Sequence, residues 1–291
     1  MAKRNNYAYA TFVSTADYLE GLMAMFLSLK ATGTSYPLYA LLPQFLIKEK
    51  SNEVNNLKKA GVNIIEYEKP LVVPQELLDN NTKTGNIRGN YCYDKLLVFE
   101  LTQFDKVVYL DVDIYILQNL DCLFEMPHMA AMIAGGSYPG NEDWKDLSAG
   151  ILTIVPEEGY VNRFMQVVPE VIKDGGALGD MSILQKFYSD WPQHPELNMG
   201  EKYSVLSYYA QYYEDNLGYH YDDNIGDPKS VAIMHYASAE KPWMRNWGKL
   251  SSIKQDLQLF MLKLCGKRNT KVIMLEYNKL IRKSRKILYN K

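Results

Sequence analysis

The 291 residues are 47% hydrophobic with a formal net charge of −2, enough apolar content for one large α/β domain or two small ones. No run approaches the roughly eighteen apolar residues of a spanning helix, and Met1-Ala2-Lys3-Arg4-Asn5-Asn6 leads straight into a strand-like stretch, so neither signal peptide nor transmembrane segment is expected. Cys92, Cys122 and Cys265 are far apart and lack Cys-x-x-Cys spacing, which argues against a disulfide framework or thiolate zinc site and fits a reducing, cytoplasmic compartment.

Residues 7–13 read as a first strand ending in Ser14-Thr15-Ala16-Asp17, turn and N-cap types, and an apolar-periodic helix follows over 18–30. Strand, polar turn and helix start is a nucleotide-binding layout, but without Gly-x-Gly-x-x-Gly the dinucleotide fingerprint is missing. Residues 38–42 form a second strand, 49–60 a helix closed by Gly61 and 62–65 a third strand; the alternation predicts a parallel, doubly wound α/β sheet. Residues 70–90 read as an irregular, mobile loop containing Lys83 and Arg88, ahead of a helix over 91–100 that carries Lys95. Basic residues in such places are usually just solvated; the sharper reading has Arg88 and Lys95 closing onto a diphosphate.

The chain is organised around Lys106-Val107-Val108-Tyr109-Leu110-Asp111-Val112-Asp113. Residues 107–110 read as a short buried strand whose C-terminal end, the ligand-binding end in α/β sheets, delivers two carboxylates. Side chains at i and i+2 point the same way, so Asp111 and Asp113 converge while Val112 turns into the core. Paired carboxylates call for a hard divalent cation, and such a cation with open positions invites a diphosphate. Asp-x-Asp also arises by chance and in turns, so this reading depends on the rest of the chain.

Further strands are expected at 129–133 and 151–155, with a polar, glycine-bearing stretch at 135–146 between them, then helices over 156–173 and 181–188. Asp180 could be the N-cap of the second helix, its commoner role. The tyrosine-rich stretch 203–221 could offer aromatic platforms for a sugar acceptor or pack as an ordinary amphipathic segment. Residues 231–234 form a buried strand with His235 at its end; an isolated histidine is more often structural, but its placement mirrors that of the aspartates, so it could complete their metal shell and set Lys241 near the phosphates. Residues 254–291 hold eleven Lys and Arg against Asp256 and Glu276, a local +9 on a body of −11. In the last stretch Ile273, Tyr277, Leu280 and Ile287 recur at helical spacing, which fits equally a helix docked on the body and one that contacts an anionic membrane surface. The division expected is a body over 1–250 and a basic amphipathic helical tail over 251–291, peripheral at the inner face of a membrane if the tail makes that contact.

In this order and spacing the residues resemble glycosyltransferase family 8, the group of glycogenin, galactinol synthases and bacterial lipopolysaccharide hexosyltransferases. The resemblance runs from about residue 7 to 243 and rests on Tyr18-Leu19-Glu20-Gly21, Ser28-Leu29-Lys30, Asp94-Lys95-Leu96, Tyr109-Leu110-Asp111-Val112-Asp113, Ser148-Ala149-Gly150, Gly179-Asp180, and His235 with Lys241-Pro242-Trp243. It implies a single-domain GT-A fold with a Rossmann-like, mostly parallel sheet flanked by helices, a UDP-sugar donor, Mn2+ or Mg2+, and transfer with retention. By position, Asp111, Asp113 and His235 would bind the metal, and Phe12, Ser14, Thr15 and Tyr18 the uridine. Arg88, Lys95 and Lys241 would hold the diphosphate or donor sugar, Val112 and Ser148 would also face the donor, and Asp180, Lys95 and Arg88 would serve catalysis. Ser148-Ala149, Asp180-Met181 and Ser238 depart from the family's Asn-Ser, Asp-Gln and Gly, which bears on the sugar more than on the reaction.

The expected activity is transfer of glucose or galactose to a glycan, glycolipid or small polyol, with no nucleic acid involved and a second copy of the chain as a further candidate partner. The alternatives are a UDP-sugar-binding protein with weakened turnover, or glycogenin-like self-glucosylation on Tyr208, Tyr209, Tyr212 or Tyr213.

Overall fold

The computed structural model describes residues 6–133, 135–245 and 248–290, with the side chain of Arg88 outside that description. The chain runs β1 (Tyr7–Phe12), α1 (Leu19–Ala31), β2 (Leu38–Pro43), α2 (Gln44–Glu49), α3 (Ser51–Ala60), β3 (Asn63–Tyr67) and α4 (Gln75–Thr84). Two 3-10 helices, Ile87–Tyr91 and Tyr93–Glu100, lead into β4 (Lys106–Leu110), β5 (Ile114–Ile116) and β6 (Ile151–Ile154). Then come α5 (Tyr160–Asp174), α6 (Asp180–Phe187), β7 (Val205–Leu206), α7 (Ala210–Leu217), β8 (Ile233–His235), α8 (Lys249–Leu264) and α9 (Thr270–Tyr289).

Five strands form the main sheet in the order β3-β2-β1-β4-β6, parallel throughout except where β6 pairs antiparallel with β4. The chain steps outward from β1 to β3, then returns to the other side of β1 to lay down β4. The crossovers therefore part beyond the C-terminal ends of β1 and β4, which opens the crevice where such sheets hold ligands. A second sheet, β5-β8-β7, follows directly from residues 111–113.

Helix α1 is apolar nearly all round, from Leu19 through Leu22, Met23, Met25 and Phe26 to Leu29, all buried. A helix of that kind needs cover on every side. The sheet supplies one side, through Tyr9 and Leu110, and α9 supplies another. Gly21 permits the close approach of Trp243, whose ring atoms lie 2.6–2.9 Å from where a Cβ would stand, so two distant parts of the sequence pattern meet here. Helix α9 docks through buried Ile273, Tyr277, Ile281 and Leu288, and Arg285 Nε donates to Glu20 Oε2 at 2.6 Å. Of the apolar positions expected to face either the body or a membrane, Ile273 and Tyr277 are buried in the body and Leu280 and Ile287 pack half-buried against it, while Lys271, Lys279, Lys283 and Lys286 stay exposed. Among the described residues no helix is long and apolar enough to cross a membrane.

Residues 70–90 are not an irregular loop, because α4 occupies their centre and stops at Gly85, whose φ of 73° is the left-handed turn that glycine favours. Tertiary contact outweighs weak propensity there: buried Asn81 accepts from Leu178 N–H and donates to Tyr93 Oη and Asn90 Oδ1. The strand expected at 129–133 is also absent; Met129 has a φ of 61°, and only isolated bridges, Ala131 to Asn198 and Met132 to Ser148, form.

His128 ties this loop to the helical layer. Its Nδ1 accepts from Val155 N–H at 3.0 Å, and its Nε2 lies 3.0 Å from Tyr160 Oη and 3.1 Å from Tyr188 Oη. Burial, helped by Lys106 and Arg163 against the pull of Glu157, lowers its pKa from 6.5 to about 4. Between those values the unfolded chain binds a proton that the folded chain refuses, so stability falls as pH drops through that window. Going from pH 7 to 5 should cost the native chain about 1–2 kcal/mol more than His128→Gln, read from denaturant midpoints. Equal losses in both chains would remove His128 from the acid response.

Candidate active site

Two backbone pairings place the central carboxylates. Asp111 N–H donates to Gly150 O at 2.9 Å beyond the end of β4, and Tyr236 N–H donates to Asp113 O at 2.8 Å where Ile114 of β5 stands opposite His235 of β8. The second pairing brings the imidazole 122 positions along the chain to the aspartates: His235 Nε2 lies 3.2 Å from Asp113 Oδ1. Donor atoms of Asp111, Asp113 and His235 all lie within 4.8 Å of one another. Two carboxylates and one imidazole are a donor set that suits a divalent ion. The space is kept clear by Gly150, where a Cβ would stand 2.9 Å from His235 Cε1 and 3.3 Å from Asp111 Oδ2.

Each carboxylate also has a buried lysine. Lys241 Nζ lies 2.6 Å from Asp113 Oδ2 and donates to Tyr236 O at 3.0 Å. Lys95 Nζ lies 2.7 Å from Asp180 Oδ2 and 3.2 Å from Asp111 Oδ1, and donates to Ala149 O at 3.1 Å. Burial opposes ionisation of Asp113, but His235 and Lys241 outweigh it and hold the carboxyl well below the usual range. Burial pushes Asp111 the other way, upward, and the neighbouring Asp113 charge adds to this against the pull of Lys95. Burial also works against charge on Lys95, yet Asp111 and Asp180 more than offset it and keep the ammonium protonated. The group is therefore a compact network of three carboxylates and two ammonium groups around one imidazole, in a site of low dielectric where each added or removed charge has a large effect.

Two clefts meet on this network. One, of about 380 Å³, is lined by Phe12, Ser14, Thr15, Tyr18 and Val112. The other, of about 400 Å³, is lined by Tyr138, Trp144, Ser148, Met181, Tyr208 and His235. Lys95, Asp111, Asp113 and Asp180 line both. Of the residues singled out in the sequence, Lys241 engages Asp113, and Arg88 falls on a side chain outside the described residues. Asp180 is not the N-cap of α6; Gly179 is, and Asp180 is the first helical residue.

Sequence reasoning missed two supports. Tyr109 Oη donates to Asp111 Oδ1 at 2.7 Å, and burial together with the Asp111 charge keeps that hydroxyl protonated. Its position two residues before Asp111, on the same strand face, was a usable signal. Ser204 Oγ lies 2.8 Å from His235 Nδ1 and orients the ring, with no local pattern to announce it.

Residues 10–247 match the family model described as Glycosyl transferase family 8. The chain belongs to this family. Among its relatives is a putative UDP-glucuronate:xylan alpha-glucuronosyltransferase 3 of Arabidopsis thaliana, 24% identical over 239 residues that cover 81% of this chain and 34% of that protein. Glycogenin-1 of Caenorhabditis elegans is 23% identical over 253 residues, 81% of this chain and 50% of the relative. The chain thus spans between about a third and a half of the length of these curated relatives. A crystal structure of the galactosyltransferase LgtC with donor and acceptor sugar analogues superposes with a TM-score of 0.53 at 17% identity, covering 83% of this chain and 92% of that one. That likeness carries the fold, which is GT-A.

Proposed function

We propose that this chain is a metal-dependent, retaining hexosyltransferase that moves glucose or galactose from a UDP-linked donor to a glycan, glycolipid or small polyol. The observation that carries the reading is the floor shared by the two clefts, Lys95, Asp111, Asp113 and Asp180, because group transfer needs donor and acceptor to meet at one charged point. The first cleft, beyond β1 and the start of α1, takes the nucleoside, with Tyr18 against the base. Asp111, Asp113 and His235 would hold the ion, which when bound supplies positive charge to the diphosphate as the anomeric bond breaks. Lys95, fixed and protonated, adds a second positive centre from the protein, and Arg88 is assigned to the same diphosphate set. Lys241 holds Asp113 in position.

Of the three carboxylates that line both clefts, Asp180 is the one left outside the proposed ion ligands. Its contact with Lys95 neutralises much of its charge and makes it a poor nucleophile, which favours front-side attack with Asp180 orienting the acceptor hydroxyl. Tyr138, Trp144 and Tyr208 give the second cleft aromatic faces against which a sugar ring can pack. Tyr213 is buried with its hydroxyl on Glu201, which takes it out of the acceptors that a self-glucosylating chain would use.

The test is UDP release from UDP-glucose, UDP-galactose, UDP-N-acetylglucosamine and UDP-glucuronate with manganese present. Slow hydrolysis of a hexose donor, abolished by a chelator, is expected. Tight donor binding with no UDP released over hours would establish a sugar-nucleotide-binding protein in place of an enzyme.

A further inference from the structure

Helix α8 exposes a row of large apolar side chains: Leu250 at 84%, Ile253 at 50%, Leu257 at 60%, Phe260 at 59%, Met261 at 58% and Leu264 at 66%. At helical pitch these six fall within an arc of about 100°. The other face of α8 is already used, since Leu259 and Leu262 pack on Val272 and Leu275 of α9, and Asp256 pairs with Arg282 at 2.6 Å. Scattered exposed leucines mean little, but a contiguous row on one helix marks a surface that something covers.

The charges around the row indicate what covers it. Exposed Lys249 and Lys254 stand at its two edges, and exposed Lys267 and Arg268 follow the end of the helix. A second copy of the chain is disfavoured although Leu250, Ile253, Leu257, Phe260 and Leu264 repeat like a coiled-coil seam. A parallel pair would set Lys249 against Lys254, both exposed, while Lys263 and Asp256 are already paired with Glu276 and Arg282 of α9 and offer a partner copy no free charge. The seam is also about two heptads long, short of the roughly three to four that sustain such pairing. An apolar arc edged with lysines is instead complementary to a lipid surface with acidic headgroups.

We infer that α8 lies in the plane of an anionic bilayer surface, with its apolar row among the acyl chains and Lys249, Lys254, Lys267 and Arg268 at the headgroups. The contact expected from the basic region therefore belongs to α8 and not to α9. It is independent of the catalytic reading.

The test is sedimentation of the full chain with phosphatidylcholine vesicles and with vesicles containing about 30 mol% phosphatidylglycerol, in low salt. Partition onto the anionic vesicles should exceed that onto phosphatidylcholine alone by about tenfold or more, and about 0.5 M salt should reduce it. Leu257→Gln/Phe260→Gln should lose about tenfold or more of that binding with Tm unchanged, since both side chains are exposed and neither lines a cleft. No preference for anionic vesicles, or equal binding by the double variant, overturns the inference. It is likewise overturned if the native chain ignores vesicles but is a dimer that the double variant splits, which would make the row an interface between copies.

Discussion

Asp113→Ala is expected to lose both activity and stability, and the two losses can be separated. The carboxylate bonds His235 and Lys241, which are 6% exposed each, so its removal leaves an ammonium buried with one carbonyl for company. Breaking a buried pair from one side costs about 3–5 kcal/mol, a Tm fall on the order of 10 °C for a chain of this size. Activity should fall further than stability alone explains, by about 10³-fold or more, because the proposed ion site would lose a ligand and a donor diphosphate the charge held there. Asp113→Ala/Lys241→Met removes both members of the pair and should recover most of the Tm while activity stays low. If the double variant regained turnover as well, Asp113 would be a structural residue and the ion site would be wrongly placed.

The parts of the site most legible in the sequence, Asp111, Asp113, Ser14, Thr15 and His235, share one property: each lies at or just beyond the end of a core strand, where period-two alternation and a polar break are visible locally. Asp111 and Asp113 follow β4, Ser14 and Thr15 follow β1, and His235 ends β8. Their matching strand-end placement suggests that they meet but does not fix it, since His235 reaches Asp113 by the β5–β8 register and no local pattern encodes a register 122 residues apart. The supports were less legible for the same reason. Ser204 acts on His235 from β7's approach, and Asn81 holds α4 in part by accepting from Leu178 N–H, 97 positions away. In the C-terminal region, α8 and α9 both carry apolar residues at helical spacing, and periodicity alone cannot say which face is buried. That choice is made by α1, whose all-apolar surface requires a cover and whose Glu20 takes Arg285, so α9 docks and the row on α8 is left outside.

Asp180→Asn should lower kcat by about 10²–10³-fold while the donor KM changes less than about threefold. The argument turns on what the substitution leaves in place. Asparagine keeps the volume, and Lys95 retains Asp111 at 3.2 Å and the Ala149 carbonyl at 3.1 Å, so the positive centre proposed to face the diphosphate should survive and donor binding with it. What is lost is the carboxylate that faces the second cleft, where the acceptor hydroxyl must be held against the departing phosphate. A merely structural Asp180 predicts the opposite pattern. As the first residue of α6 it interacts favourably with the helix N-terminus, worth about 0.3–1 kcal/mol, so the variant would lose a few degrees of Tm with kcat intact. Measured together on one preparation, kcat, donor KM and Tm decide between the two, and a kcat within about threefold of the native value would take Asp180 out of the reaction.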